Sequence, residues 1–200
     1  MAIEPFQVPL FPLSGHVLPG GQMRLRIFEP RYLRMVKEAC AQGPNGYIGM
    51  CMFNESGHVD DNTHIHRIGT LATVVDFETL PDGLLGITVA GQQLFAIESI
   101  ETASDGLRVG HVTLFKSWPE HPLQAEYRDL AEQLNAVYQR YPELGAPPAA
   151  EQLDSANWVA QRWLEILPVT ADTKQTLLDQ ASCGPALSYL YELVQANCDE

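Results

Sequence analysis

Lysine is scarce in this 200-residue sequence, in which only Lys37, Lys116 and Lys174 occur and the formal net charge is −13. Proteins that bind nucleic acid neutralise phosphate groups with clustered lysine and arginine side chains. An acidic chain with so few lysines is poorly suited to that task. The sequence therefore predicts that nucleic acid is not a partner.

Long apolar runs are also missing. No segment approaches the roughly 20 consecutive apolar residues that a membrane-spanning helix needs, and the first residues, MAIEPFQV, lack the basic flank and apolar core of a secretory signal. The four cysteines, Cys40, Cys51, Cys183 and Cys198, include no closely spaced pair, which is typical of free thiols in a reducing compartment. We therefore expect a cytoplasmic protein without a membrane partner.

Recognisable catalytic motifs are absent as well. No lysine follows a glycine, so the chain has no phosphate-binding Walker loop, and no G-x-S-x-G nucleophile elbow is present. The six histidines stand in no recognisable arrangement with serine or cysteine. The sequence predicts neither a cofactor nor an enzymatic activity, although a hydrolase with an unrecognised active site remains an alternative.

What the sequence does contain is a series of short β-strand patterns up to about residue 115. Met23, Leu25 and Ile27 alternate with polar residues, which indicates a half-buried strand, and Glu29-Pro30 then opens a helix. Short strands at this spacing are typical of a closed or nearly closed antiparallel barrel. The further strands are predicted at residues 47–53, 64–80, 84–90, 92–100 and 107–115.

The hydrophobic period changes from 2 to 3.6 residues after Trp118-Pro119, and four helical stripes follow. Thr170 is placed to cap one of these helices. We therefore predict an α+β protein with an antiparallel, β-barrel-like domain over residues 1–118 and an α-helical bundle domain over residues 119–200.

Three segments carry a resemblance to a known family. The ordered run PLFPL, VLPGG and LRIFEPRYLRMV (residues 9–36) resembles the opening of the N-terminal, substrate-binding domain of Lon proteases, here in a stand-alone bacterial form. The stretches RIGTLA (67–72) and GQQLFAI (91–97) resemble later strands of that domain, although glutamine and leucine replace the basic residues usual in the second stretch.

The resemblance implies a PUA-like barrel followed by helices, and a non-catalytic role in recognising unfolded or peptide segments of polypeptide clients. Lon's motor and peptidase motifs are not found in this sequence. A small-molecule-binding module of the cereblon-like type is a further alternative. Neither the client nor the oligomeric state can be read from the sequence.

Candidate site residues fall into two groups. Met50, Met52 and Phe53 are candidate peptide contacts, because methionine adapts to varied partners, with burial in the core as the alternative. In the family motif we expect structural roles, in which two charged residues fix the start of the helix and the closure of the barrel while two aromatic rings pack. The motif residues are Phe28, Glu29, Pro30, Arg31 and Tyr32.

The only histidine-rich stretch is residues 58–66. His64 and His66 are predicted to share one face of a strand, and imidazoles suit zinc or nickel. A polar strand at the edge of a loop gives the same pattern, so these two residues are weak metal-ligand candidates and no metal is predicted.

Overall fold

The computed structural model describes residues 5–198, with side chains described up to residue 196. The chain divides into two compact units, Met1–Lys116 and Ser117–Glu200. The first is a mixed β-sheet with one α-helix, and the second is helical, so the predicted α+β class is confirmed. The change of period at Trp118-Pro119 lies close to this division. That each unit is a separately folding domain stays a prediction.

The described part of the first unit contains six strands and one α-helix. The helix, α1 (Pro30–Ala41), follows directly on the second strand. The strands are β1 (Phe6–Leu13), β2 (Gln22–Ile27), β3 (Ile48–Met52), β4 (Ile68–Thr79), β5 (Leu85–Thr102) and β6 (Arg108–Leu114).

The six strands are ordered β2-β5-β4-β3-β1-β6, and β6 also pairs with the second half of β5. The sheet is therefore strongly curled and barrel-like. β2 pairs with β5 alone within residues 5–198, so the six strands together do not form a closed barrel.

The expectation of a purely antiparallel sheet is wrong for one pair, because β1 and β3 run parallel, with Leu10 opposite Gly49. Parallel neighbours need a crossover connection of a dozen or more residues, usually with a helix. The segment containing β2 and α1 supplies that crossover here.

Two strand boundaries also differ from the sequence prediction. β4 begins at Ile68 rather than at residue 64, because His64 lies in a turn and Ile65 makes only an isolated bridge to Phe53. The two strands expected on either side of Gly91 are a single 18-residue strand, β5.

Gly91 is a point of close backbone approach rather than a turn. Its N–H donates to the carbonyl oxygen of Gly21 at 2.9 Å, and its own carbonyl oxygen accepts from the N–H of Gly20 at 2.9 Å. The pairing with β4 also shifts register here, since Leu71 faces Gln93 while Ala72 faces Gly91. Glycine inside a strand often marks such a bulge or close contact. These two hydrogen bonds hold the turn at Pro19, Gly20 and Gly21 (the Pro-Gly-Gly turn) against β5.

Two apolar clusters hold this unit together. In one, Met35, Val36 and Ala39 of α1 pack against side chains that include Ile27 of β2. In the other, side chains such as Phe95, which is completely buried, lie inside the ring that β5, β4, β3, β1 and β6 form by pairing in that order and back to β5. α1 therefore packs against one side of the sheet, and on the other side the side chains of the curled strands pack against one another.

The second unit is a set of helices. Thr170 caps α5 as predicted, because its hydroxyl accepts from the N–H of Thr173 at 3.3 Å. Ser155 caps α4 in the same way through the N–H of Trp158. No helix in the described part of the chain is both long and apolar enough to cross a membrane. The helices are α2 (Arg128–Arg140), α3 (Ala150–Asp154), α4 (Ala156–Ile166), α5 (Ala171–Leu178) and α6 (Gly184–Cys198).

Candidate polypeptide-binding surface

The start of α1 is fixed by the charged residues of the family motif. Pro30 occupies the first turn of the helix and Glu29 precedes it with an extended backbone, without a side-chain capping hydrogen bond. The Glu29 carboxylate instead pairs with Arg31, with Oε2 and Nη2 2.7 Å apart. Arg31 also donates to the carbonyl oxygen of Gly106, in the turn between β5 and β6, at 3.0 Å. Arg31 thus links the start of the helix to the sheet.

A second arginine of α1 reaches the same turn. Arg34 donates to both carboxylate oxygens of Asp105, at 2.8 and 2.9 Å. Bidentate pairs of this kind are among the stronger ion pairs in proteins. The Arg34 guanidinium also lowers the pKa of the Asp105 carboxyl. Between these contacts, the rings of Tyr32 and Phe11 lie 4.3 Å apart.

Phe28 departs from the expectation that it packs, because 64% of it is exposed. It immediately precedes Glu29, and Leu33, which is 40% exposed, lies one turn inside α1. These are the two positions at which a hydrophobic staple forms at a helix start. Phe77, 72% exposed, stands opposite Ile87 on the same end of the sheet. Apolar side chains are therefore accessible near the junction of β2 and α1.

Among residues 5–198, no second strand pairs with the outer edge of β2. Because Gly91 donates to Gly21 directly before the β2–β5 ladder begins, and because inward and outward groups alternate along an antiparallel strand, the N–H and C=O groups of Arg24 and Arg26 point away from β5. Such an edge is a template for pairing with another extended segment.

The two faces of β2 differ in chemistry. Met23 and Leu25 are partly buried and pack against the cluster beneath α1. Arg24 and Arg26 lie on the opposite face, exposed to solvent. Arg26 forms an ion pair with Asp82 in the β4–β5 turn, while the structure records no ion pair for Arg24 among residues 5–198. The edge is therefore apolar on one side and basic on the other.

The three candidate peptide contacts from the sequence separate into two groups. Met50 and Met52 are 1% and 2% exposed, because β3 lies between β4 and β1 and is buried on both faces. A surface-contact role is therefore not supported for these two residues. Phe53, at the end of β3, is 42% exposed.

The two histidine candidates do not share a strand face. His64 lies in a turn before β4, and burial together with nearby Arg108 lowers its pKa, which favours the neutral imidazole. His66 donates its backbone N–H to Met52. Within residues 5–198 the structure contains no group of three or more histidine, cysteine or acidic side chains that could hold a metal ion.

A cysteine–histidine pair is present that the sequence did not reveal. In the helical unit, Cys183 Sγ lies 3.2 Å from Nε2 of His121, 62 positions away along the chain. His121 Nδ1 lies 3.1 Å from the carbonyl oxygen of Pro122, a contact that requires a proton on Nδ1 and leaves Nε2 to accept from the thiol. Burial raises the pKa of Cys183 to about 11. A buried, protonated thiol is a poor nucleophile, which favours a packing role.

Tyr47 lines two cavities of the first unit. One of about 510 Å³ includes two aromatic side chains in its lining, Phe6 and Tyr47, rather than a cage of several rings. A neighbouring one of about 470 Å³ runs along the C-terminal end of α1 and includes Cys40 in its lining. Neither lining contains a pair of groups suited to nucleophilic catalysis.

Comparison with protein families identifies the fold. Residues 7–196 match the model of the ATP-dependent protease La (Lon) substrate-binding domain. The chain belongs to this family. The match runs from β1 to near the end of α6, so both units of the Lon-type domain are included.

Solved structures agree with this assignment. The crystal structure of a Lon N-terminal domain protein from Xanthomonas campestris superimposes with a TM-score of 0.70 at 28% identity, covering 94% of this chain and 98% of that one. The N-terminal domain of Lon protease from the Mycobacterium avium complex, at 17% identity, has the same fold, with a TM-score of 0.65 over 94% of this chain and 97% of that one.

Whole Lon proteases match over a shorter stretch. The enzyme of Treponema pallidum is 30% identical over 94 residues, and that of Flavobacterium johnsoniae is 28% identical over 98 residues. These alignments cover 46% and 48% of this chain but only 10% and 12% of the two proteases. The chain therefore spans about a tenth of the Lon proteases that it matches.

Proposed function

We propose that this chain recognises extended polypeptide segments at the outer edge of β2 and does not cleave them. The family to which it belongs is described as the substrate-binding domain of an ATP-dependent protease, and the substrate of a protease is polypeptide. The observation that carries the proposal is the open edge of β2, which has β5 as its single strand partner within the described residues.

An extended peptide can extend a sheet by pairing with an edge strand, gaining affinity from main-chain hydrogen bonds. The outward N–H and C=O groups of Arg24 and Arg26 supply two donors and two acceptors for such pairing. Phe28 and Phe77 add exposed apolar surface at the same end of the sheet. This combination suits an unfolded segment, whose backbone groups and apolar side chains are both accessible.

The cysteine–histidine pair supports the non-catalytic half of the proposal, because its thiol is not activated as a nucleophile. A nucleophile needs activation by a base and donors for the developing oxyanion. Burial instead keeps Cys183 protonated. We also propose a cytoplasmic location, because Cys40, Cys51 and Cys183 are free thiols.

Two substitutions at one position test the site of recognition. Arg24→Ala removes the side chain but keeps the backbone donor, whereas Arg24→Pro also removes the outward N–H without breaking a bond to β5. Proline is tolerated at such edge positions. We expect Arg24→Pro to weaken binding of a fluorescent unfolded peptide, measured by anisotropy, well beyond Arg24→Ala, while circular dichroism stays unchanged.

The same samples test for cleavage. Mass spectrometry of the peptide after long incubation, with and without ATP, is expected to show intact peptide. Equal peptide affinities of Arg24→Ala and Arg24→Pro would show that the peptide does not bind at the β2 edge. Fragments that disappear in a Cys183→Ala variant would overturn the non-catalytic half.

A further inference from the structure

We propose that the edge of β2 selects segments in which apolar and acidic residues alternate. This inference rests on the proposed function and specifies the class of polypeptide taken. The occupant is thus another chain with alternating apolar and carboxylate side chains, rather than any apolar segment.

The argument starts from the two faces of β2. A strand paired with β2 places its successive side chains on opposite faces of the sheet. Side chains directly opposite each other across an antiparallel pair interact, and opposite charges stabilise the pair. On one face a bound segment would meet Met23 and Leu25, which are only partly buried. On the other face it would meet Arg24 and Arg26.

The charge of β2 itself is opposite in sign to that of the protein. The chain has a formal net charge of −13, yet both charged residues of its open edge strand are arginines. Arg26 already contacts Asp82, and the exposed fractions of these two side chains, 60% and 40%, leave the pair accessible to an incoming carboxylate. Arg24 has no ion pair among the described residues. Carboxylate side chains complement both positions, whereas lysine side chains would be repelled.

A second copy of this chain is a poorer occupant. Two β2 edges paired antiparallel would bring arginines of one copy opposite arginines of the other, and like charges directly opposite destabilise such a pair. Charged side chains on edge strands commonly prevent self-association in this way. The same two arginines that complement an acidic segment therefore oppose dimer formation through this edge.

The test uses three labelled peptides of equal length in which valine alternates with glutamate, serine or lysine. Anisotropy titrations at low salt are expected to rank the affinities glutamate over serine over lysine. Each successive step should amount to roughly three- to tenfold for two cross-strand charge contacts, and added salt should compress the ranking.

The matched variant is the double charge reversal Arg24→Glu, Arg26→Glu, which keeps the backbone edge. It should bind the lysine peptide best and the glutamate peptide worst. Arg67→Glu, at an exposed arginine outside β2 that lies 4.0 Å from Glu98, serves as the control and should keep the original ranking. An unchanged ranking in the double variant would overturn the inference.

Failure of this inference and failure of the proposed function give different results. If all three peptides bind wild type equally and Arg24→Pro weakens all of them, the edge binds polypeptide but without this selectivity. If none of the three peptides binds, both this inference and the proposed function fail. A wild-type dimer in sedimentation that is lost in Arg24→Pro would assign the edge to a second copy and overturn the inference.

Discussion

Gly91 lies against the carbonyl group of Leu18 so closely that a Cβ atom at position 91 would stand 2.2 Å from that oxygen. The contact involves backbone on both sides, so neither partner can rotate away. It places the Pro-Gly-Gly turn on β5 and, through that turn, sets which backbone groups of β2 face outward.

Gly91→Ala should therefore destabilise the protein. Forcing atoms into a filled site typically costs about 1–3 kcal/mol, and we expect a loss of that size in the free energy of unfolding from urea titration. Gly15→Ala is the matched control, because its nearest neighbour would be a methionine side-chain atom at 3.5 Å, an ordinary contact. Equal free energies of unfolding for the two variants would contradict this expectation, because they would show that the turn moves to make room for the added Cβ atom.

Glu29→Ala tests whether the motif carboxylate is structural. A side chain that caps a helix contributes up to about 2 kcal/mol. The structure shows no capping hydrogen bond, and Glu29 retains a partly exposed pair with Arg31 and the favourable position at a helix N-terminus. We therefore expect a loss of about 0.5–1 kcal/mol in urea titration. Unchanged stability with loss of peptide binding would instead make Glu29 a contact residue.

The pair between Arg34 and Asp105 predicts a pH dependence. The pKa of Asp105 is lower in the folded protein than its ordinary value of 3.8. Its contribution to stability is therefore complete above pH 3.8 and is lost as the pH falls through the lowered folded value. Asp105→Asn should have a lower melting temperature than wild type at pH 7, and the difference should shrink progressively as the pH falls below 3.8.

Asp60→Asn, in the exposed loop before β4, is the control for that experiment. Its melting temperature should equal that of the wild-type protein at every pH. A difference for Asp105→Asn that persists unchanged at the lowest pH would show that the carboxylate charge is not the source of the stabilisation.

The thiols should differ in reactivity. Burial raises the pKa of both Cys51 and Cys183, whereas Cys40 is exposed. In native protein at pH 7.5, iodoacetamide should modify Cys40 first and leave the other two largely unreacted, as mapped by peptide mass spectrometry. In urea the three should react alike. Rapid native alkylation of Cys183 would indicate an activated thiol and reopen the hydrolase alternative.

Local patterns predicted most of the fold. The alternation in residues 22–27, the Glu29-Pro30 helix start and the Thr170 cap all depend on neighbours in sequence, and each is found in the structure. The α+β class followed from the change of period. What sequence pattern cannot supply is which strands pair, so the parallel pairing of β1 with β3 went unpredicted.

The errors at the site have physical causes as well. Glycine is common both in turns and in bulges, so the sequence around Gly91 predicts two strands where the structure has one. Met50 and Met52 lie in an uninterrupted apolar run, which is itself the signal of a strand buried on both faces, and that signal could have excluded them as surface contacts. No local signal reveals the pairing of Cys183 with His121, because the contact joins distant segments. The β2 edge depends in the same way on which strand pairs with which.

Hydrogen exchange at single backbone amides tests the central claim most directly. In the free protein, the outward N–H groups of Arg24 and Arg26 should exchange quickly and that of Leu25, bonded to β5, slowly. Saturation with an unfolded peptide is expected to protect Arg24 and Arg26 selectively, because the bound segment accepts their hydrogen bonds. Saturating binding, confirmed by anisotropy, that leaves both amides exchanging as in the free protein would contradict recognition at the β2 edge.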